Sequence, residues 1–276
     1  AAGAGCSRDA DRDQHAANRR PGITRDFAGR TEDCIRGYHG RPVAVVVRSL
    51  DSISARPLAG TEDASLPFWS PDSRSVGFFA DGNLKRMDIN GGSVETLART
   101  NNPTGGSWSP DGVILFTPGA IAGIFRVSAA GSPPAVVTRL GSEQGGHVVP
   151  QFLPDGRHFL YFVIGGPDVR GVYIGQLDGP ETRRLFDADA PAVFSPSGHL
   201  LFVRQGTLYA QNFDAARLEV TGNPVRVAEQ VLTQVIGVAL SASATGTIIY
   251  RTGTGRGSTV PIHLDRSVWE RDRESG

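Results

Sequence analysis

Three aspartates share one local setting and together would suit a metal ion. Asp72, Asp111 and Asp155 each follow a proline, in Ser-Pro-Asp-Ser (70–73), Ser-Pro-Asp-Gly (109–112) and Leu-Pro-Asp-Gly (153–156). Carboxylates are hard oxygen donors, so three converging on one point would hold a divalent cation. A fourth copy, Ser-Pro-Ser-Gly at 195–198, puts Ser197 in the acidic place. A turn tolerates that exchange and a ligand set does not. The plainer reading is that Asp bonds nearby backbone and shapes a turn after Pro71, Pro110, Pro154 and Pro196. A second acidic set, Asp51, Asp88, Asp178, Asp214 and Asp265, follows an apolar residue each time. Those positions read as strand ends whose carboxylate caps the next turn.

Other chemistry is sparse. The histidines at 15, 39, 147, 158, 199 and 263 form no His-x-x-x-His pair, so a metal role is not expected. No Gly-x-Ser-x-Gly nucleophile motif occurs. The glycine-rich Arg-Thr-Gly-Thr-Gly-Arg-Gly-Ser-Thr at 251–259 lacks the Gly-Lys-Ser/Thr ending of a phosphate loop and reads as a hairpin. No kinase His-Arg-Asp or Asp-Phe-Gly motif is present, so no catalysis and no cofactor are expected of this chain. The most distinctive loop is Gly-Ser-Glu-Gln-Gly-Gly-His, ahead of an apolar strand. There Glu143, Gln144 and His147 are the candidate ligand contacts.

The elements that carry these residues repeat. The second motif positions are Pro71, Pro110, Pro154, Pro196 and, in a decayed copy, Ala244, at spacings of 39, 44, 42 and 48. An aromatic stands just before each of the first four motifs: Trp69, Trp108, Phe152 and Phe194. Another follows in the next strand: Phe79, Phe116, Phe162, Phe202 and Tyr250. Each unit reads as four short strands joined by Pro-Asp, Asp-Gly and Asn-Gly turns. The second strand of each is the most apolar, as suits burial on both faces. A period near 40–45 with four strands per unit is the mark of a β-propeller, with a solenoid as the alternative. The aromatics are then placed to pack one blade against the next.

Composition bounds the rest. Lys+Arg and Asp+Glu are both 28 in 276 residues, which argues against a nucleic-acid or membrane surface recognised by bulk charge. Cys6 and Cys34 make neither a disulfide framework nor a zinc site. No apolar run approaches the roughly 20 residues that cross a bilayer.

The stretches "PFWSPDS", "GGSWSPDG", "PQFLPDGRHFLYF", "AVFSPSGHLLFVRQGTLYAQNFDAARLEVTGNPVRVAEQV" and "IIYRTGTGRGST" resemble the TolB-like, WD-repeat-like propellers. The likeness is greatest to those C-terminal to bacterial serine/threonine protein kinases of the acidobacterial type, over residues 43 to 266. It implies an extracytoplasmic, periplasmic sensor or docking module beyond a membrane span. The partner implied is a protein, a peptide or a cell-envelope ligand. Shared turns also leave open the gating propeller of a prolyl-oligopeptidase-type serine peptidase, and a TolB-like periplasmic scaffold.

The pattern fades at both ends. Residues 1–42 carry 14 charged side chains and no strand pattern, and 267–276 also lose it. Both segments read as non-homologous or disordered sequence around a propeller at 43–266, from a shifted frame or a truncated gene. Four blades are complete. Val43–Leu58 reads as the end of an earlier blade, so a fifth is expected to be partial, or composite if C-terminal strands join the N-terminal ones.

Overall fold

The computed structural model describes residues 32–36, 44–49, 55–231, 233–234, 237–238, 240–242, 248–251 and 262–265. Every regular element among them is a strand. The first sheet holds β1 (Glu32–Arg36), β2 (Val45–Ser49) and β3 (Ala55–Pro57). Four four-stranded antiparallel blades follow. Blade 1 is β4 (Ser65–Trp69), β5 (Ser75–Ala80), β6 (Asn83–Asp88) and β7 (Glu95–Arg99). Blade 2 is β8 (Gly106–Trp108), β9 (Val113–Phe116), β10 (Phe125–Ser128) and β11 (Ala135–Val136). Blade 3 is β12 (Gln144–Phe152), β13 (His158–Gly165), β14 (Gly171–Gln176) and β15 (Thr182–Phe186). Blade 4 is β16 (Val193–Ser195), β17 (His199–Arg204), β18 (Thr207–Asp214) and β19 (Glu219–Ala228). A short pair, β20 (Thr233–Gln234) and β21 (Gly237–Val238), precedes a last sheet of β22 (Leu240–Ala242), β23 (Ile248–Arg251) and β24 (Ile262–Asp265). This is an all-β propeller architecture.

Among the described residues the terminal strands form two three-stranded sheets, one at each end of the four blades. Strand β1 falls inside the segment that showed no strand pattern. Its Glu-Asp-Cys-Ile-Arg has no apolar alternation, and its partner is the apolar β2. The Arg251–Ile262 connection joins antiparallel strands, with the glycine-rich residues themselves outside the described set.

Five apolar seams, each shared by two neighbouring sheets, make up the core. Alternation along the second strands explains this. In β17, Leu200 and Phe202 face blade 3, while Leu201 and Val203 face the last sheet. A period of two sends successive side chains to opposite faces, so a strand buried on both sides must be apolar throughout. Trp69 lies in the seam between the first sheet and blade 1. Trp108 packs in the next seam, Phe152 between blades 2 and 3, and Phe194 between blades 3 and 4.

Because strands alternate in direction, each blade sends its turns to two ends. The Pro-Asp turns and the third-to-fourth-strand turns share one end. The second-to-third-strand loops and the links between blades share the other, here called the linker end. The Pro-Asp turns are held by their own side chains. Asp72 Oδ1 accepts the Arg74 N–H at 3.0 Å and the Ser70 hydroxyl at 2.6 Å, and the serine's bond holds that carboxyl below its ordinary range. Asp155 Oδ1 accepts the Arg157 and His158 N–H groups at 3.0 and 2.9 Å. Asp88 and Asp214 cap the turns after their strands in the same way. Asp178 instead pairs with Arg126 of the preceding blade at 2.8 Å. The side chains of Asp51 and Asp265 lie outside the described residues.

One column of the innermost strands stitches each blade to the next. The Phe68 ring covers Gly106, where a Cβ would lie 2.4 Å from the ring. Ser107 Oγ accepts the Phe152 N–H at 3.0 Å. Gln151 Oε1 accepts the Phe194 N–H at 3.0 Å, and its Nε2 donates to Phe194 O at 3.2 Å.

Candidate binding surface

The expected contact residues Glu143, Gln144 and His147 were read as a loop ahead of the strand. The structure corrects this: β12 begins at Gln144, so Gln144 and His147 are in the strand and only Glu143 precedes it. The ladder extends because β13 runs eight residues and pairs back to Gly165, with an irregularity near Gly145 absorbing the misfit.

His147 is 2% exposed and both ring nitrogens are bonded. Nε2 lies 2.8 Å from Gln144 Oε1, an atom that only accepts. The proton therefore sits on Nε2, and Nδ1 accepts from the Thr138 hydroxyl at 2.7 Å. Thr138 Oγ1 in turn accepts the Ile124 N–H at 2.8 Å, and Gln144 Oε1 also accepts the Gly141 N–H at 2.8 Å. The ring leans on Tyr161 at 4.8 Å. This network ties the link at 137–143 to the start of the inner strand and leaves Glu143 exposed beside it.

Burial pushes the pKa of His147 down to about 4 from the ordinary 6.5. The unfolded chain thus takes the proton first as pH falls. Stability from this group is complete above 6.5, declines as pH drops from 6.5 toward 4, and is flat below that. Each pH unit across that window costs at most about 1.4 kcal/mol. Urea unfolding at a series of pH values is expected to show this slope in the native chain and to lose it in His147→Gln.

The neighbouring loops close on this point. A Cβ on Gly146 would stand 2.1 Å from Ala120 O, so the 117–124 loop rests directly on β12. Ile121 at its tip is 83% exposed, the most exposed large apolar side chain described. A Cβ on Gly165 would meet Glu143 O at 2.9 Å, which places the base of the 166–170 loop beside Glu143. Val149 in β12 and Leu66 in β4 hold equivalent places before Pro150 and Pro67, at bulges, with φ of +51° and +49°. Such angles are uncommon for a leucine and an outlier for a β-branched valine, and outliers of this kind concentrate at functional surfaces.

Farther along the same end, three arginines meet two aspartates. Arg184 holds the 166–170 loop, donating from Nε and Nη2 to Arg170 O at 3.1 and 2.6 Å. Gly171 makes this approach possible, because a Cβ there would lie 2.5 Å from Phe186 O. Arg204 donates from Nη2 to Asp187 O at 2.7 Å. Asp189 Oδ2 accepts the Gln205 N–H. Arg170 Nη2 lies 3.7 Å from Asp187 Oδ1 and 3.6 Å from Asp189 Oδ1. The arginines and Gln151 were not singled out by the sequence reading. The only signal was local: Gln151 stands beside Phe152, in the column that holds Phe68 and Ser107 in other blades.

The aspartates of the Pro-Asp turns sit at the opposite end, where Asp72 and Asp155 are bonded within their own turns. Among the described residues no three His, Cys, Asp or Glu side chains gather as a metal site. No described helix is long and apolar enough to cross a membrane.

No family model matches the sequence, and no curated protein matches it either. Solved structures do match in fold. TolB from Acinetobacter baumannii is 14% identical with a TM-score of 0.58, covering 75% of this chain and 55% of its own. The protein assigned as TolB in Agrobacterium tumefaciens is 15% identical with a TM-score of 0.62, covering 88% and 90%. A puromycin-hydrolyzing peptidase of Mycobacterium tuberculosis is 16% identical with a TM-score of 0.59, covering 87% of this chain and 43% of its own. At these identities the likeness establishes a TolB-like propeller fold. The chain thus spans about half the length of the first TolB and less than half of the peptidase.

Proposed function

We propose that this chain is a non-catalytic binding module that takes a protein or peptide partner at the linker end. The observation that carries the reading is the exposed Ile121 on a loop seated against the His147 latch, with Glu143 alongside. A rigid scaffold presenting variable loops at one end is the usual way a propeller carries function. At the other end Asp72, Asp88, Asp155 and Asp214 spend their carboxylates on their own turns. The resemblance of the repeats to propellers attached to bacterial receptor-type kinases supports a sensor or docking role on the outer side of a membrane, and a TolB-like scaffold is the near variant.

A second reading has one observation in its favour. The peptidase match covers less than half of that protein, as a propeller domain beside a separate catalytic domain would. A Gly-x-Ser-x-Gly hydrolase domain downstream in the same gene would decide for that reading, and an upstream kinase domain for the first.

Photocrosslinking in the native host tests the surface itself. A photoreactive residue in place of Ile121 is expected to trap a discrete partner, while one in place of Asp111 at the Pro-Asp end traps none. Equal capture at both, or capture at Asp111 alone, overturns the proposal.

A further inference from the structure

We infer that the linker end carries a carboxylate-binding site between Arg170 and Arg184, built to receive an acidic peptide segment of a protein partner. This deepens the binding reading above and rests on it. In the free protein Asp187 occupies the site loosely. Its Oδ1 lies 3.7 Å from Nη2 of Arg170 and 3.7 Å from Nη2 of Arg184. Charge-assisted N–H···O bonds run about 2.7–2.9 Å, so neither contact is a hydrogen bond. The Asp187 carboxylate therefore stands between two guanidinium groups without bonding either.

The donors around it are correspondingly idle. The Arg170 guanidinium makes no hydrogen bond within 3.5 Å among the described residues, although it offers five N–H groups. The Nε atoms of Arg170 and Arg204 are buried without a partner, two of the five such side-chain atoms described, and both fall in this one cluster. Buried donors are satisfied in the great majority of cases, so a concentration of idle ones marks a place that a ligand or water completes.

The frame that holds the cluster is rigid. Arg184 pins the loop through the Arg170 and Pro167 carbonyls, and Arg204 pins the Asp187 backbone while its guanidinium lies 5.4 Å over the Phe202 ring. The Asp187 side chain, 49% exposed, and the Arg170 side chain, 40% exposed, are held by ion pairs of 3.6–3.7 Å and by no hydrogen bond among the described residues. An incoming carboxylate displaces Asp187 and accepts two parallel N–H bonds from Arg170, the fork geometry that guanidinium and carboxylate share. Arg184 then lends charge from the other side. A peptide is the occupant the surroundings favour, because the base of the 166–170 loop lies beside the chain at 143, three residues from Gly146, where the 117–124 loop with the exposed Ile121 rests.

Calorimetric titration of the full chain with an acetylated hexaglutamate peptide tests this. Asp187→Asn removes the internal competitor and is expected to tighten binding several-fold. Arg170→Gln is expected to weaken it roughly tenfold or more, the effect of losing one charged hydrogen-bonding partner. Arg74→Gln at the Pro-Asp end, a change of equal charge, leaves it unaltered. No binding by the native chain or by Asp187→Asn, or equal losses for Arg170→Gln and Arg74→Gln, overturns the site. Capture from position 121 that persists when the peptide fails to bind retains the binding surface and removes the carboxylate site alone.

Discussion

Phe202→Ala is expected to lower the free energy of unfolding by about 3–5 kcal/mol, the range for deleting a buried phenylalanine. Phe202 is 1% exposed in the seam between blades 3 and 4. Its ring stacks on Tyr209 at 5.6 Å and meets Phe186 at 4.5 Å. Strands flank the site on both sides, so the backbone cannot collapse into the space and the cavity remains. Phe202→Leu keeps most of the volume and is expected to lose much less. Chemical denaturation of both variants measures the difference, and equal losses would mean that ring packing is not the cause. Stability in this fold resides in seams between neighbours, as in other repeat proteins, so the damage should spread to both adjoining blades.

Gln151→Leu is expected to cost about 2–5 kcal/mol, through a different cause. Leucine fills the volume but bonds nothing. The Phe194 N–H and C=O would then lie buried without partners, at about 1–3 kcal/mol each. Gln151 is 1% exposed, so water cannot substitute. Ser107→Ala breaks a single bond of the same column and should cost about 1 kcal/mol. If the two variants lose the same amount in denaturant titrations, the paired bonding of Gln151 is not the reason for its effect.

These two residues mark how far the sequence could be read. Phe202 belonged to a series of second-strand aromatics, but the registers align it with Phe78, Phe116 and Tyr161, all buried against the preceding sheet, whereas Phe79 and Phe162 lie one residue further on and face the next blade. Gln151 belonged to none: its column holds Phe68, Ser107 and Gln151, three chemistries serving one purpose. A repeat search weighs likeness, so it overlooks a position whose function is kept while its residue type changes. The length of β11 was also hidden. Ala-Val-Val-Thr-Arg-Leu looks like a full outer strand, yet only two residues pair, because the Val137 and Thr138 N–H groups both turn to Ile124 O. The outer strand has no neighbour beyond it to hold its pattern to a sheet.

By itself, then, the sequence determined the blade. Period-two apolar alternation, Pro-Asp turns and aromatic spacing are local properties, and local properties repeat visibly along a chain. Tertiary structure alone decided which polar groups are spent and which are idle. His147 looked available and is consumed by Thr138 and Gln144. Arg170 looked ordinary and is left with two long ion pairs. Satisfaction of a polar group depends on what the neighbouring strands and links bring to within about 3 Å of it, and no spacing along the chain encodes that distance.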